Sequence, residues 1–113
     1  MTLIESLKTV AVVEDPFIGR YLRTLLGRHG FHTVDHDSSV MLKLMESGRL
    51  KPDVLITNTP GVFTEFADQL AVIYMAAAPD PEVVQPFRHS RILSKPFEAE
   101  DLLRAVSELT AAH

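Results

Sequence analysis

The sequence predicts an α/β fold, a parallel sheet of five strands with helices packed on both faces. Two observations carry this. Short β-branched runs alternate with amphipathic stretches five times along the chain, which implies a parallel sheet with right-handed crossovers. The runs are also apolar at consecutive positions, as strands buried on both faces are.

Each element has its own justification. "TVAVVED" (Thr9–Asp15) is a β-branched run that ends in two acids, the first strand. In "PFIGRYLRTLLGRHG", Ile18, Leu22, Leu25 and Leu26 recur at helical spacing, with Arg20, Arg23 and Arg28 opposite. Pro16 suits a first helical turn and Gly30 the position just past the end. "FHTVDHD" (Phe31–Asp37) reads as the second strand. "SSVMLKLMESG" reads as a short helix, capped by Ser38 or Asp37 and stopped by Gly48, with Val40, Leu44 and Met45 inward. "DVLIT" (Asp53–Thr57) is the third strand. "VFTEFADQL" (Val62–Leu70) has room for two or three helical turns only. "AVIYMAAA" (Ala71–Ala78) is the fourth strand. "EVVQPFRH" makes a poor helix, because Pro86 removes an amide donor and crowds the preceding turn. "RILS" (Arg91–Ser94) is the fifth strand. "EAEDLLRAVSELTAA" closes the chain as a helix with Leu102, Leu103, Val106 and Leu109 inward, and acids at its start suit the helix dipole.

The chain has 113 residues, 46% hydrophobic and 23% charged. That suits one soluble domain, 1–113 with a core of about 9–109, alone or cut from a longer chain. A net charge of −4 argues against a nucleic-acid partner, which needs clustered Lys and Arg. Cysteine is absent, which excludes disulfides and thiolate chemistry. No apolar run approaches the ~20 residues of a membrane span, and "MTLIESLKT" lacks a secretion signal's basic and apolar regions. The expected location is cytoplasmic, with no membrane partner. The five His residues show no metal-ligand spacing.

Ligands of open α/β sheets bind at the carboxyl ends of the strands. Polar residues gather there: Glu14 and Asp15 after the first strand, Asn58 after the third, Lys95 and Pro96 after the fifth. "VAVVED", "PDVLITNTPG", "VIYMAA" and "ILSKPF", in that order, resemble the receiver domain of two-component response regulators over roughly Thr9 to Leu109. The resemblance implies a flavodoxin-like, CheY-like three-layer α/β/α sandwich, strand order 2-1-3-4-5. It implies that Glu14 and Asp15 correspond to the acids that help hold Mg²⁺, and Pro60 to a loop position whose carbonyl ligates it. Asn58 falls where the family has its phosphate-accepting Asp. Ala76 falls where a Thr or Ser bonds the phosphoryl group, and Ile92 where an aromatic residue switches rotamer. Lys95 matches the Lys that pairs with phosphoryl oxygens. Eighteen residues separate Asn58 from Ala76, short for the family, which implies a shortened or missing third helix.

These departures describe a pseudo-receiver. An amide oxygen carries no charge, and the amide lone pair is shared into its C–N bond, so Asn58 is no nucleophile toward phosphorus. Loss of a hydroxyl at Ala76 removes a donor whose removal commonly costs about 3 kcal/mol in a transition state. With two acids and a nearby Lys, no high-affinity metal is expected, and Mg²⁺ binding should be weak or absent. Asn58 is then free to accept from Lys95 and donate to Glu14 or Asp15. A plainer reading makes Glu14 and Asp15 helix-capping acids and Asn58 a turn residue.

The leading expectation is a protein–protein interaction module of two-component signalling that works without phosphorylation and without catalysis. Its partners would be a histidine kinase, other domains of a signalling protein, or a second copy. The face expected to carry contacts holds Phe87, Ile92, Phe97 and Leu102 or Leu103. The alternative is a ligand-gated receiver that binds a small anion, such as a nucleotide or cyclic dinucleotide, at the vacated site or at Arg88 and Arg91. The plainer reading of "RHSR" is a solvated loop.

Overall fold

The computed structural model describes residues 8–111; the stretch read for a secretion signal lies largely outside them. In chain order the elements are β1 (Thr9–Val13), α1 (Pro16–Arg28), β2 (His32–Asp35), α2 (Ser38–Glu46), β3 (Val54–Thr57), β4 (Ala71–Ala76), β5 (His89–Ser94) and α3 (Ala99–Ala111). Two 3-10 segments, Pro60–Phe66 and Pro81–Val84, fill the connections on either side of β4. All strand pairs are parallel and the order is β2-β1-β3-β4-β5, as expected. The register sets Val13 beside Thr57, and Ala76 beside Ser94. Glu14, Asn58 and Lys95 each follow one of those residues, so the ladder delivers all three to one edge.

Strand residues alternate between two cores. Val10, Val12, Val54 and Ile56 face α1 and α3, where Leu22, Leu26, Leu102 and Val106 meet them. Ala11, Val13, Leu55 and Val72 face α2 and the 3-10 segments. Each wholly buried Leu, such as Leu22 or Leu26, contributes roughly 1.5–3 kcal/mol. The helices begin and end where the sequence marks them. Asp15 caps α1 and Asp37, not Ser38, caps α2. Gly30 and Gly48 take positive φ, +83° and +76°, just past the helix ends, which only glycine does at no cost.

Some elements differ from expectation. The second core is walled by one α-helix and two 3-10 pieces. In place of a third helix, Pro60 opens a 3-10 turn that breaks at Phe63 (φ −111°, ψ 18°). Phe63 is wholly buried, and its anchoring replaces the apolar stripe of a longer helix. Val84 and Phe87 plug the same core from the next connection. α2 is rotated from the expected face, so Met41 and Met45 point inward while Val40 is 40% exposed. β1 ends at Val13, before Glu14, and β2 ends at Asp35, two residues before Asp37; Asp15 and Asp37 serve as helix caps instead of ladder members. β4 stops at Ala76 and β5 begins at His89, two residues earlier than expected.

α1 approaches β2 closely at Gly19. A Cβ there would come 2.5 Å from Asp35 Oδ2. Gly19→Ala gains about 1 kcal/mol of helix propensity but forces Asp35 aside. We expect urea unfolding to show the gain only in the Asp35→Ala background, with a coupling of about 1 kcal/mol. Strict additivity would show that the contact carries no energy.

The 3-10 segment also meets the end of α2. Glu65 shares a hydrogen bond with Glu46, which raises its carboxyl above the ordinary range, with desolvation and repulsion adding. A raised folded-state value means that protonation favours the fold. That contribution is present at low pH and is lost as pH rises upward from the ordinary carboxylate range. Melting curves of wild type and Glu65→Gln should therefore separate in the variant's favour as pH rises toward neutrality; parallel curves would contradict the pairing.

Candidate functional site

The site is built on the ends of β1, β3 and β5. Glu14 leaves β1 with its side chain fully buried, and Lys95 leaves β5 with its side chain 23% exposed. Lys95 Nζ donates to Glu14 Oε1 at 3.0 Å. The backbone N–H of Asp15 donates to the same oxygen at 3.3 Å. Glu14 Oε2 is buried with no hydrogen-bond partner. A carboxylate buried this deeply needs its countercharge, since desolvation of a lone ion costs several kcal/mol.

Asp15 is spent differently. Its Oδ1 accepts from the backbone N–H groups of Phe17 and Ile18, at 3.0 and 3.1 Å, so the capping reading describes its contacts. Asn58 is exposed, and among the described residues its side chain bonds neither Lys95 nor an acid. The expected bridging role of Asn58 is therefore corrected: Lys95 bonds Glu14 instead. Thr57 fixes the turn beside it. Its wholly buried hydroxyl accepts from Thr59 N–H at 3.0 Å. Pro60 is buried and starts the 3-10 segment. Ala76 ends β4, and its carbonyl accepts from Lys95 N–H at 2.8 Å. Ser94, opposite Ala76, is exposed; sequence reasoning passed over it, and only the ladder register reveals its place.

The residues here do not fit a divalent cation. Among the described residues no group of three or more His, Cys, Asp or Glu side chains is placed to hold one. One acid is ion-paired to an ammonium, the other caps a helix, and the third position is a neutral amide. A free oxygen on Glu14 is one donor where Mg²⁺ seeks an octahedron.

The expected contact face is corrected in part. Phe87 and Leu102 are 5% and 0% exposed and belong to the two cores. Leu103 is half-buried against the core. Phe97 is half-buried and packs its ring on Tyr21, centroids 6.2 Å apart. Only Ile92 is open to solvent. Of the basic pair, Arg91 donates to the Ser90 carbonyl at 2.8 Å and pairs with Glu108 at 3.4 Å, while Arg88 is exposed. No helix among the described residues is long and apolar enough to cross a membrane.

No protein-family model and no curated protein matches the chain. Solved structures do. The chain is similar to the signal receiver domain of an HD domain-containing protein from Pseudomonas fluorescens Pf-5, with a TM-score of 0.81 and 19% identity over 99% of this chain and 93% of that one. It is similar to the Francisella response regulator 1452 receiver domain, TM-score 0.80, 19% identity, covering 95% and 98%. It is also similar to a response regulator receiver protein from Sinorhizobium medicae WSM419, TM-score 0.77, 20% identity, covering 96% and 97%. The fold is the CheY-like receiver fold.

If Lys95 is the countercharge of Glu14, Lys95→Met should destabilise the domain by about 3–5 kcal/mol. Glu14→Gln combined with Lys95→Met should recover most of it. A double variant as unstable as Lys95→Met alone, in urea unfolding, would show that the charge on Glu14 is not the cause.

Proposed function

We propose that this chain is a pseudo-receiver of two-component signalling, which works by docking to other proteins and does not accept phosphate. The single observation behind this is the engagement of Lys95 with Glu14 beside a neutral, exposed Asn58. Phosphoryl transfer to a side chain needs a nucleophile and preorganised positive charge where the equatorial oxygens develop. Asn58 supplies no nucleophile. The ammonium that would meet the phosphoryl oxygens is held 3.0 Å from a buried carboxylate, and Ala76 offers no hydroxyl. Mg²⁺ binding is weak or absent on the same grounds. The partners this reading favours are a histidine kinase or neighbouring domains of a signalling protein.

A nucleotide or other anion at the vacated site is disfavoured. The buried, unpartnered Glu14 Oε2 would face the anion, and Arg91 is already engaged by Glu108.

The test is labelling with a radioactive small-molecule phosphodonor in magnesium buffer. Wild type should take up no hydroxylamine-sensitive phosphate, while Asn58→Asp with Ala76→Thr should label slowly. A hydroxylamine-labile phosphate on the wild-type chain would sink the proposal.

A further inference from the structure

We infer that the exposed face of α1 is a self-association surface, on which a second copy of this chain docks. The inference deepens the reading of the domain as a docking module and rests on it for its purpose.

Phe17 is 90% exposed and Tyr21, one helical turn on, 48%. Among the described residues the other exposed large apolar side chains, Val40, Val62 and Ile92, lie singly on separate elements. Phe17 and Tyr21 together make one exposed aromatic patch, of the kind that marks a docking site. Phe17 forms a ridge between two open hollows. One, about 390 Å³, lies over α1 against Pro16, Arg20, Tyr21 and Thr24. The other, about 430 Å³, is bounded by Ile18, Tyr21, Lys95, Pro96 and Phe97. A projecting side chain beside an apolar hollow on one face is the self-complementary shape of a twofold interface, in which each Phe17 enters the hollow of the other copy.

Charge selects the occupant. α1 carries Arg20, Arg23 and Arg28, all exposed, and no acid. Beyond Phe97, at the start of α3, Glu98, Glu100 and Asp101 are exposed. Arg104 reaches Glu100 at 3.9 Å and Asp101 at 3.3 Å, leaving Glu98 to face solvent. The aromatic patch therefore adjoins a basic helix, α1, on one side and, directly after Phe97, the exposed acids that open α3 on the other. A uniformly acidic protein or an anionic membrane would be repelled by α3, and a basic partner by α1. A second copy, turned by a twofold, sets each basic side against the partner's acidic one.

Sedimentation equilibrium of the full chain tests this. We expect a reversible dimer at micromolar concentrations. Phe17→Ser should raise its dissociation constant roughly 30-fold or more, with an unchanged melting temperature, since the side chain is outside the cores. Arg20→Glu and Glu98→Arg should each weaken the homodimer, and an equimolar mixture of the two variants should associate more tightly than either alone. A monomer at every concentration, or a dimer indifferent to Phe17→Ser, would overturn the inference, as would a dimer lost on Ile92→Ser, which lies on a different element. Phosphate labelling is independent of all these outcomes, so the two readings fail separately.

Discussion

The contact between Lys95 and Glu14 ties the last strand of the sheet to the first, across 81 residues of chain. It is an expensive arrangement. One partner is wholly buried, and one of its oxygens has no donor. Such a pair holds only because each charge would be worse off without the other. Its consequence for chemistry is that the site's cation and its best acid are both committed. Asp15 is committed too, as the cap of α1. What remains at the mouth of the sheet is Asn58, exposed and neutral. The charged side chains at the mouth of the sheet are thus engaged with one another or with backbone amides.

The two faces of the sheet are unequal, and this bears on where docking can happen. α1 and α3 cover one face with long apolar stripes. The other is closed by α2 and by single aromatic plugs, Phe63 and Phe87, carried on short 3-10 segments. The connections on either side of β4 form only 3-10 pieces, and Pro86 interrupts the second connection. Residues that a helical connection could have left outside are drawn into the core, which is why Phe87 has no surface to offer. Open apolar area collects instead on α1, where Phe17 and Tyr21 are exposed.

Much of the fold was legible in the chain. Consecutive β-branched runs marked the buried strands, and Pro16, Gly30 and Gly48 marked helix limits through backbone rules that depend little on tertiary context. The gathering of Glu14, Asn58 and Lys95 followed from their places at strand ends. The fine arrangement of charges did not. Whether an ammonium bonds an amide or a carboxylate depends on burial, and burial of Glu14 is a property of the assembled sheet. The rotation of α2 was missed for a related reason: Val40 and Met41 are neighbours, both apolar, and only the position of Phe63 and Val72 decides which turns inward. Phe17 lies outside the apolar stripe of Ile18, Leu22, Leu25 and Leu26, and its exposure beside Tyr21 is seen only once the helix is packed.

The closed site admits one direct examination. The side-chain amide of Asn58, the backbone amide of Glu14 and the ammonium of Lys95 each have a nuclear magnetic resonance signal that reports on its surroundings. Magnesium at millimolar concentration, followed by beryllofluoride, should leave all three where they are, because the groups that would receive these ligands are already engaged or uncharged. Saturable shifts of Asn58, Glu14 and Lys95 together would mean that the ion pair opens to admit metal and phosphate analogue, and that the site is a working one.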